Sequence, residues 1–248
     1  MNFIVGQNDI TNMCVDAIVL PANEKLKEGN GTSRVIFEKA GRKKLTKACN
    51  EIRSCRIGEA VPTLAFNLDA DYIIHAVVPK WIDGEHQEYD YLSAAYLSAL
   101  NVADIMGCDS IAFPLLASGN NGFDLGLAYD IAKSSIESYE GIHLKKVILV
   151  VYGDSTAIFL KGKGVKVVNL QHAPKMDNAA EERKRRKKQL GGERKQVAAQ
   201  FFEDQIAKVI EYFKDEKNCE RVIQAGIAIA QFAIQLAGKK NNHMKKDI

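Results

Sequence analysis

The 248 residues are 46% apolar and 26% charged, the composition of a soluble globular protein able to bury a sizeable core. The net charge of +3 is uneven: residues 1–170 hold 17 Lys+Arg against 20 Asp+Glu, and residues 171–248 hold 17 against 11. The first part is therefore not a basic nucleic-acid-binding domain, whereas the last part can meet an acidic partner.

In chain order, Phe3 to Val5 reads as a first, edge-type strand and Asn8-Asp9-Ile10-Thr11 as a turn. Ala17 to Leu20 is a buried strand ended by Pro21-Ala22-Asn23. A glycine loop, Gly29-Asn30-Gly31, leads into one helix with Thr32 or Ser33 as N-cap, its buried face running through Val35, Ile36, Ala40, Leu45 and Ala48. Glu59 to Phe66 and Tyr72 to Val78 are strands, the second closed by Pro79. Tyr89 to Met106 is a helix with apolar residues at spacings of three and four. Ser110 to Phe113 is an apolar strand stopped by Pro114, followed by five turn-capable residues, Ser118-Gly119-Asn120-Asn121-Gly122, and a helix from Asp124. Lys146 to Tyr152 is a strong central strand, Ser155 to Leu160 a short helix, and Val165 to Leu170 a last strand.

Near-continuous apolar strands alternating with amphipathic helices indicate an α/β sheet covered on both faces. Ligands of such sheets sit outside the carboxyl ends of the strands. Both glycine loops follow strand C-termini, so both belong to one crevice. A strand, a glycine-bearing loop and a helix can together aim backbone N–H groups at an anion.

Cys14, Cys49, Cys55, Cys108 and Cys219 are scattered, with no C-x-x-C pair. They read as free thiols of a reducing compartment rather than a disulfide frame or zinc site. The start MNFIVGQNDIT has no signal-peptide pattern. Val222 to Ala237 is too short for a membrane span and is interrupted by Gln224, Gln231 and Gln235. A cytoplasmic location is expected. No metal-ligand spacing links His75, His86, His143, His172 and His243, and His75 reads as a core histidine.

Four segments together resemble a macrodomain, the ADP-ribose-binding α/β/α module. They are Asn8 to Thr11 with Val15 to Val19 and Ala22-Asn23; LKEGNGTSRVIFEKAG from Leu26; YIIHAVVP with Trp81; and FPLLASGNNGF ending at Phe123. The resemblance covers residues 1–170 and implies three layers around a mixed sheet. Residues 171–195, with the basic cluster Arg183 to Lys188, read as a linker and charged segment. Residues 196–238 read as a helical extension, expected to be a helix pair, and residues 239–248 as a frayed tail.

The resemblance also implies roles. Asp9 would accept from the adenine amino group beside Ile10, an ionised carboxylate being purely an acceptor; its competing role is to cap the turn. Asn23 would bond the distal ribose or simply form an Asx turn. Gly29, Asn30, Gly31 and Thr32 would lie against ribose and diphosphate. Ser118, Gly119, Asn120, Asn121 and Gly122 would wrap the diphosphate, their glycines allowing close approach. Phe123 would pack on the distal ribose, and Tyr152 would stand where adenine sits; each is otherwise a core residue. Asn23 and Ser33 are the catalytic candidates, Ser33 standing where hydrolytic relatives often carry Asp. Glu28 and Asp124 are the carboxylates nearest in sequence, each with a bland reading as a solvated residue or helix cap.

No cofactor or metal is expected. Two functions are implied: hydrolysis of mono-ADP-ribosyl groups from protein or of O-acetyl-ADP-ribose, or recognition of ADP-ribose without turnover. Arg183 to Lys188 can touch nucleic acid or be a solvated helix face, and the C-terminal helices can support an oligomer.

Overall fold

The computed structural model describes residues 1–171; the expected basic segment, helix pair and tail lie outside the described residues. In chain order the elements are β1 (Asn2–Gln7), β2 (Ala17–Ala22), α1 (Thr32–Ala40), α2 (Arg42–Ile52), β3 (Ala60–Leu64), β4 (Tyr72–Val77), α3 (Glu88–Ile105), β5 (Ser110–Pro114), α4 (Leu125–Glu137), β6 (Lys146–Val151), α5 (Asp154–Gly162) and β7 (Val167–Asn169). The strands form one seven-stranded sheet in the order β3-β4-β2-β5-β6-β1-β7. The sheet is mixed: β3 runs antiparallel to β4 and every other pairing is parallel.

Alternation along each strand divides the core into two layers. On one face Val19, Ile74, Ile111, Phe113, Val147 and Leu149 join Leu92, Tyr96 and Leu100 of α3 and Ala128, Ala132 and Ile136 of α4 in one apolar cluster. On the other, α1 and α2 pack against β2 and β3, and Ile18, Leu20, Ile36, Phe37, Leu45 and Ile73 are buried. Each fully buried aliphatic or aromatic side chain contributes about 1.5–3 kcal/mol, so both layers are held mainly by hydrophobic burial.

The structure departs from the sequence reading in four places. β1 is not an edge strand; it lies between β6 and β7, pairing with both over Val5 to Gln7. Gly6 makes this close packing feasible, because a Cβ there would collide with Leu170. The single helix expected from Thr32 to Ala48 is two helices, broken at Gly41, whose φ of 97° lies in the left-handed region where glycine carries no penalty. The N-cap of α1 is Gly31 rather than Thr32 or Ser33, with φ 57° and ψ −128°. Val35, expected inside, is exposed, and Cys49 takes the buried position next to Ala48.

Candidate functional site

Every sequence-derived site residue lies just past the C-terminal end of a parallel strand. Asp9 and Ile10 follow β1, Asn23 to Ser33 follow β2, Ser118 to Phe123 follow β5, and Tyr152 follows β6. Strand order therefore lines them up along one sheet edge: the β4 exit, the first loop, the second loop, Tyr152, then Asp9. At about 4.8 Å per strand, the row from β4 to β1 spans roughly 19 Å.

The first loop is folded around Asn23, which is exposed. Its Oδ1 accepts from Lys27 N–H at 3.1 Å and its Nδ2 donates to the Lys27 carbonyl at 2.7 Å. Asn23 thus closes a local turn with the residue four positions on, in place of the expected Asx turn to the residue two positions on, and its amide still has one N–H and one lone pair to offer. Ser33, buried in the first turn of α1, accepts from Gly29 N–H through Oγ at 3.0 Å. Its hydroxyl proton is left to donate. Glu28 forms a two-pronged pair with Arg42, at 2.7 and 2.9 Å. No side chain caps α1. Among the described residues, the N–H groups of Asn30, Gly31, Thr32 and Ser33 have no acceptor.

The second loop is anchored from beneath. Leu116 N–H donates to the hydroxyl oxygen of Tyr96 at 2.9 Å, and Tyr96 is wholly buried, which pushes its phenol pKa up. Ala117 then adopts φ 63°, a left-handed conformation costing an L-residue roughly 1–2 kcal/mol. Ser118 Oγ donates to the Leu115 carbonyl, Gly122 N–H to Gly119 and Phe123 N–H to Ala117. Asn121 is a staple: its Nδ2 donates to the Pro79 carbonyl at 2.7 Å, and its own carbonyl accepts from Trp81 N–H at 2.7 Å. Among the described residues, the N–H groups of Ser118, Gly119, Asn120 and Asn121 have no acceptor. Two runs of free N–H donors thus leave neighbouring strands, which is the composition of an anion cradle. Asp124 caps α4 through Gly126 and Leu127 N–H, as its bland reading had it. Phe123 is buried edge-on to Trp81, with ring centroids 5.1 Å apart.

At the far end Asp9 caps a 3₁₀ turn, Ile10–Asn12, accepting from both Thr11 N–H (2.8 Å) and Thr11 Oγ1–H (2.7 Å) through Oδ1. Ile10 is buried beneath it. Tyr152 is 78% exposed, so it is not the core residue that was its alternative reading. Gln7 Nε2 donates to Asp154 at 2.8 Å, tying β1 to α5 behind this corner.

His75 is absent from the row. It sits mid-strand in β4, fully buried, with Nε2 2.9 Å from Thr63 Oγ1. Burial pushes its pKa down to about 3, so it is a neutral core histidine. Burial likewise raises the Cys49 and Cys55 thiols to about 12, which leaves them unreactive at neutral pH.

The sequence profile of the macro domain family matches residues 19–132. An O-acetyl-ADP-ribose deacetylase of Escherichia fergusonii is 38% identical over 159 residues, covering 62% of this chain and 89% of that protein. The chain belongs to the macro domain family. A macro domain-containing protein of Listeria monocytogenes is 43% identical over 143 residues, covering 56% of this chain and 81% of its own length. Among solved structures, the Oceanobacillus iheyensis macrodomain with ADP superposes with a TM-score of 0.60 at 28% identity, covering 64% of this chain and 87% of that one. The Trypanosoma brucei macrodomain in complex with ADP-ribose gives 0.58 at 26% identity, covering 65% and 68%.

Sequence reasoning missed Tyr96 and Glu88, which shape this macrodomain's cleft, and one role of Asn121. Tyr96 was one apolar position in a helical stripe, although a buried Tyr hydroxyl normally requires a partner. Asn121, expected at the diphosphate, keeps its free backbone N–H there while its side-chain amide stitches two loops. Glu88 was passed over, although an acid in the first turn of a helix is a recognisable signal. Its buried carboxylate accepts from the N–H groups of Ile82, Asp83, Gly84 and His86.

Proposed function

We propose that this macrodomain binds ADP-ribose along the strand-end row and hydrolyses a bond at the distal ribose, releasing a protein-linked mono-ADP-ribosyl group or the acetyl group of O-acetyl-ADP-ribose. The observation that carries this reading is the pair of free N–H runs, Asn30 to Ser33 and Ser118 to Asn121, on adjacent strand ends. A diphosphate is the part of the ligand that such a pair fits. The row then runs outward from it in the ligand's own order. Asp9 and Tyr152 take adenine, the two loops take the diphosphate, and Asn23 with Phe123 takes the distal ribose. The deacetylase relative supports the hydrolytic half of the reading, and the ADP-ribose complex among the structural neighbours supports the binding half.

In this reading water attacks the ester carbon, the bond from that carbon to the ribose oxygen breaks, and the ribose hydroxyl takes up a proton. Asn23 has one N–H and one lone pair left to orient the water. Ser33 keeps the loop in place and is not a base, since a serine hydroxyl does not ionise at neutral pH. Neither nearby carboxylate is free, because Glu28 pairs with Arg42 and Asp124 caps α4. The proton of the attacking water therefore goes to a phosphate oxygen of the ligand.

The same observation favours a second reading, a binding module that retains ADP-ribose without turnover. The two separate in one assay. Mono-ADP-ribosylated protein and O-acetyl-ADP-ribose are incubated with the wild type and with Asn23→Ala. Product from the wild type, with a loss of about 100-fold in Asn23→Ala, supports the enzyme. Binding without product from either protein supports the reader.

A further inference from the structure

Resting on the reading above, we propose that Trp81, Ile82 and Tyr89 form a shelf that receives the polypeptide carrying the ADP-ribosyl group, and that the shelf prefers a polypeptide with Lys or Arg beside the modified residue. The shelf is at the β4 end of the row, next to β2 and opposite Asp9 and Tyr152. Anything attached to a distal ribose at Asn23 and Phe123 leaves the cleft on this side. Trp81 is continuous with the cleft: its N–H donates to Asn121, its ring meets Phe123, and its Cβ lies beside Gly122. On its other side it meets Tyr89 edge-on, with centroids 5.5 Å apart.

Two of the three side chains are more open than packing alone requires. Ile82 is 63% exposed and Tyr89 43%. Contiguous exposed apolar surface beside a cleft marks an interaction site more often than isolated exposed residues do. The loop that carries it is fixed. Glu88 is 1% exposed and accepts four backbone N–H groups of residues 82–86. Its desolvation raises the pKa, but the N–H donors of Glu88, Gly84, Asp83 and Ile82 outweigh that and bring it down to about 2, so the carboxylate stays charged. Gly84, at φ 96°, lies between the rings: a Cβ there would be 3.0 Å from Trp81 and 3.2 Å from Tyr89. A prefixed loop loses little entropy on binding.

Charge selects the partner. Asp83, Glu85 and Asp90 are exposed around the shelf, against Lys80 and the Asp83-paired His86. A basic segment is drawn to the shelf by Glu85 and Asp90, and its cations can stack on Trp81 and Tyr89. Free O-acetyl-ADP-ribose carries no such segment, so the shelf assigns this cleft to protein-linked ADP-ribose. Asp83, His86 and Glu88 also come within 4.8 Å of one another, but Glu88 and Asp83 are already engaged by backbone N–H groups, and a metal site is not part of the proposal.

The test is calorimetric titration of the full chain with free ADP-ribose and with two hydrolysis-resistant ADP-ribosylated peptides, identical except for flanking Lys or flanking Glu. The wild type is expected to bind the Lys peptide about ten-fold more tightly than free ADP-ribose, and the Glu peptide no more tightly than free ADP-ribose. Glu85→Lys with Asp90→Lys should reverse the order of the two peptides. Ile82→Ser with Tyr89→Ser should bring both to the affinity of free ADP-ribose. The affinity for free ADP-ribose itself should be the same in all three proteins. Equal wild-type affinities for the three ligands would overturn the shelf and leave the cleft standing, as would a Lys preference that survives both variants. No binding of any of the three would overturn the cleft reading and the shelf with it.

Discussion

The two loops of the cleft carry similar runs of free N–H groups on dissimilar supports. The first, from Asn23 to Ser33, is held largely by its own residues, Asn23 to Lys27 and Ser33 to Gly29, and is tied to the molecule where the Glu24 carbonyl accepts from Cys55 N–H at 2.9 Å and where Leu26, at φ 53°, is buried. The second, from Leu115 to Phe123, is tied into the molecule. Tyr96 anchors it to the α3/α4 layer, Asn121 anchors it to the end of β4, and Ala117 is held at positive φ. His75, buried in the α1/α2 layer, bonds Thr63 and makes no bond to the first loop. A strained backbone persists only where its surroundings over-determine it. Both loops therefore carry a residue held at positive φ, Leu26 and Ala117, and they differ in the kind of anchor: mostly local turns in the first, long-range side-chain hydrogen bonds to α3 and the β4 exit in the second.

The contrast is open to breaking at several points. Tyr96→Ala should cost about 3–5 kcal/mol in urea unfolding, since it opens a core cavity and strips Leu116 of its acceptor. Tyr96→Phe keeps the volume and should cost about 1–3 kcal/mol while weakening ADP-ribose binding, a combination that a purely structural tyrosine would not give.

Acid should act on the other layer. His75 is held neutral with a pKa of about 3 against 6.5 unfolded, so its stabilising contribution is full above 6.5 and is lost as pH falls toward 3. Between pH 6.5 and about 5 this amounts to about 2 kcal/mol. Hydrogen-exchange protection factors, corrected for the intrinsic pH dependence of exchange, should fall in α1 and α2 over that range and stay unchanged around Leu116, and His75→Gln should flatten the stability profile. Asn121→Ala should cost about 1–2 kcal/mol, leaving the Pro79 carbonyl without its donor, and should raise exchange at Trp81. Ser33→Ala removes one hydrogen bond and should cost about 1 kcal/mol, with a larger effect on ligand affinity than on unfolding. Glu28→Gln breaks a surface pair and should change stability by less than about 1 kcal/mol, an amount that 1 M salt should erase. A first loop as sensitive to mutation as the second would remove the distinction.

Much of this was legible in the sequence because it is local. Apolar runs gave the strands Ala17 to Leu20, Tyr72 to Val78 and Ser110 to Phe113 within a residue or two, and the glycine loops fell on strand ends as expected. What stayed hidden depends on chain order in space or on a single dihedral. The interior place of β1 follows from β7 returning beside it, which a three-residue apolar run, Phe3-Ile4-Val5, does not encode. Gly41 sits between two stretches that both read as helix, so only its φ reveals the break. Tyr96 and Asn121 find their partners 20 and 42 residues away, a distance at which spacing carries no information. The Asp124 cap is short-range and falls where its sequence position suggests, while the Asn23 side chain reaches four residues on to Lys27, past the two-residue Asx turn expected there.

The most direct measurement is a calorimetric titration of the wild-type chain with free ADP-ribose, paired with the same titration of Tyr96→Phe. Saturable one-to-one binding by the wild type, weakened in Tyr96→Phe, is the result this account predicts. No heat of binding at millimolar ADP-ribose would contradict it.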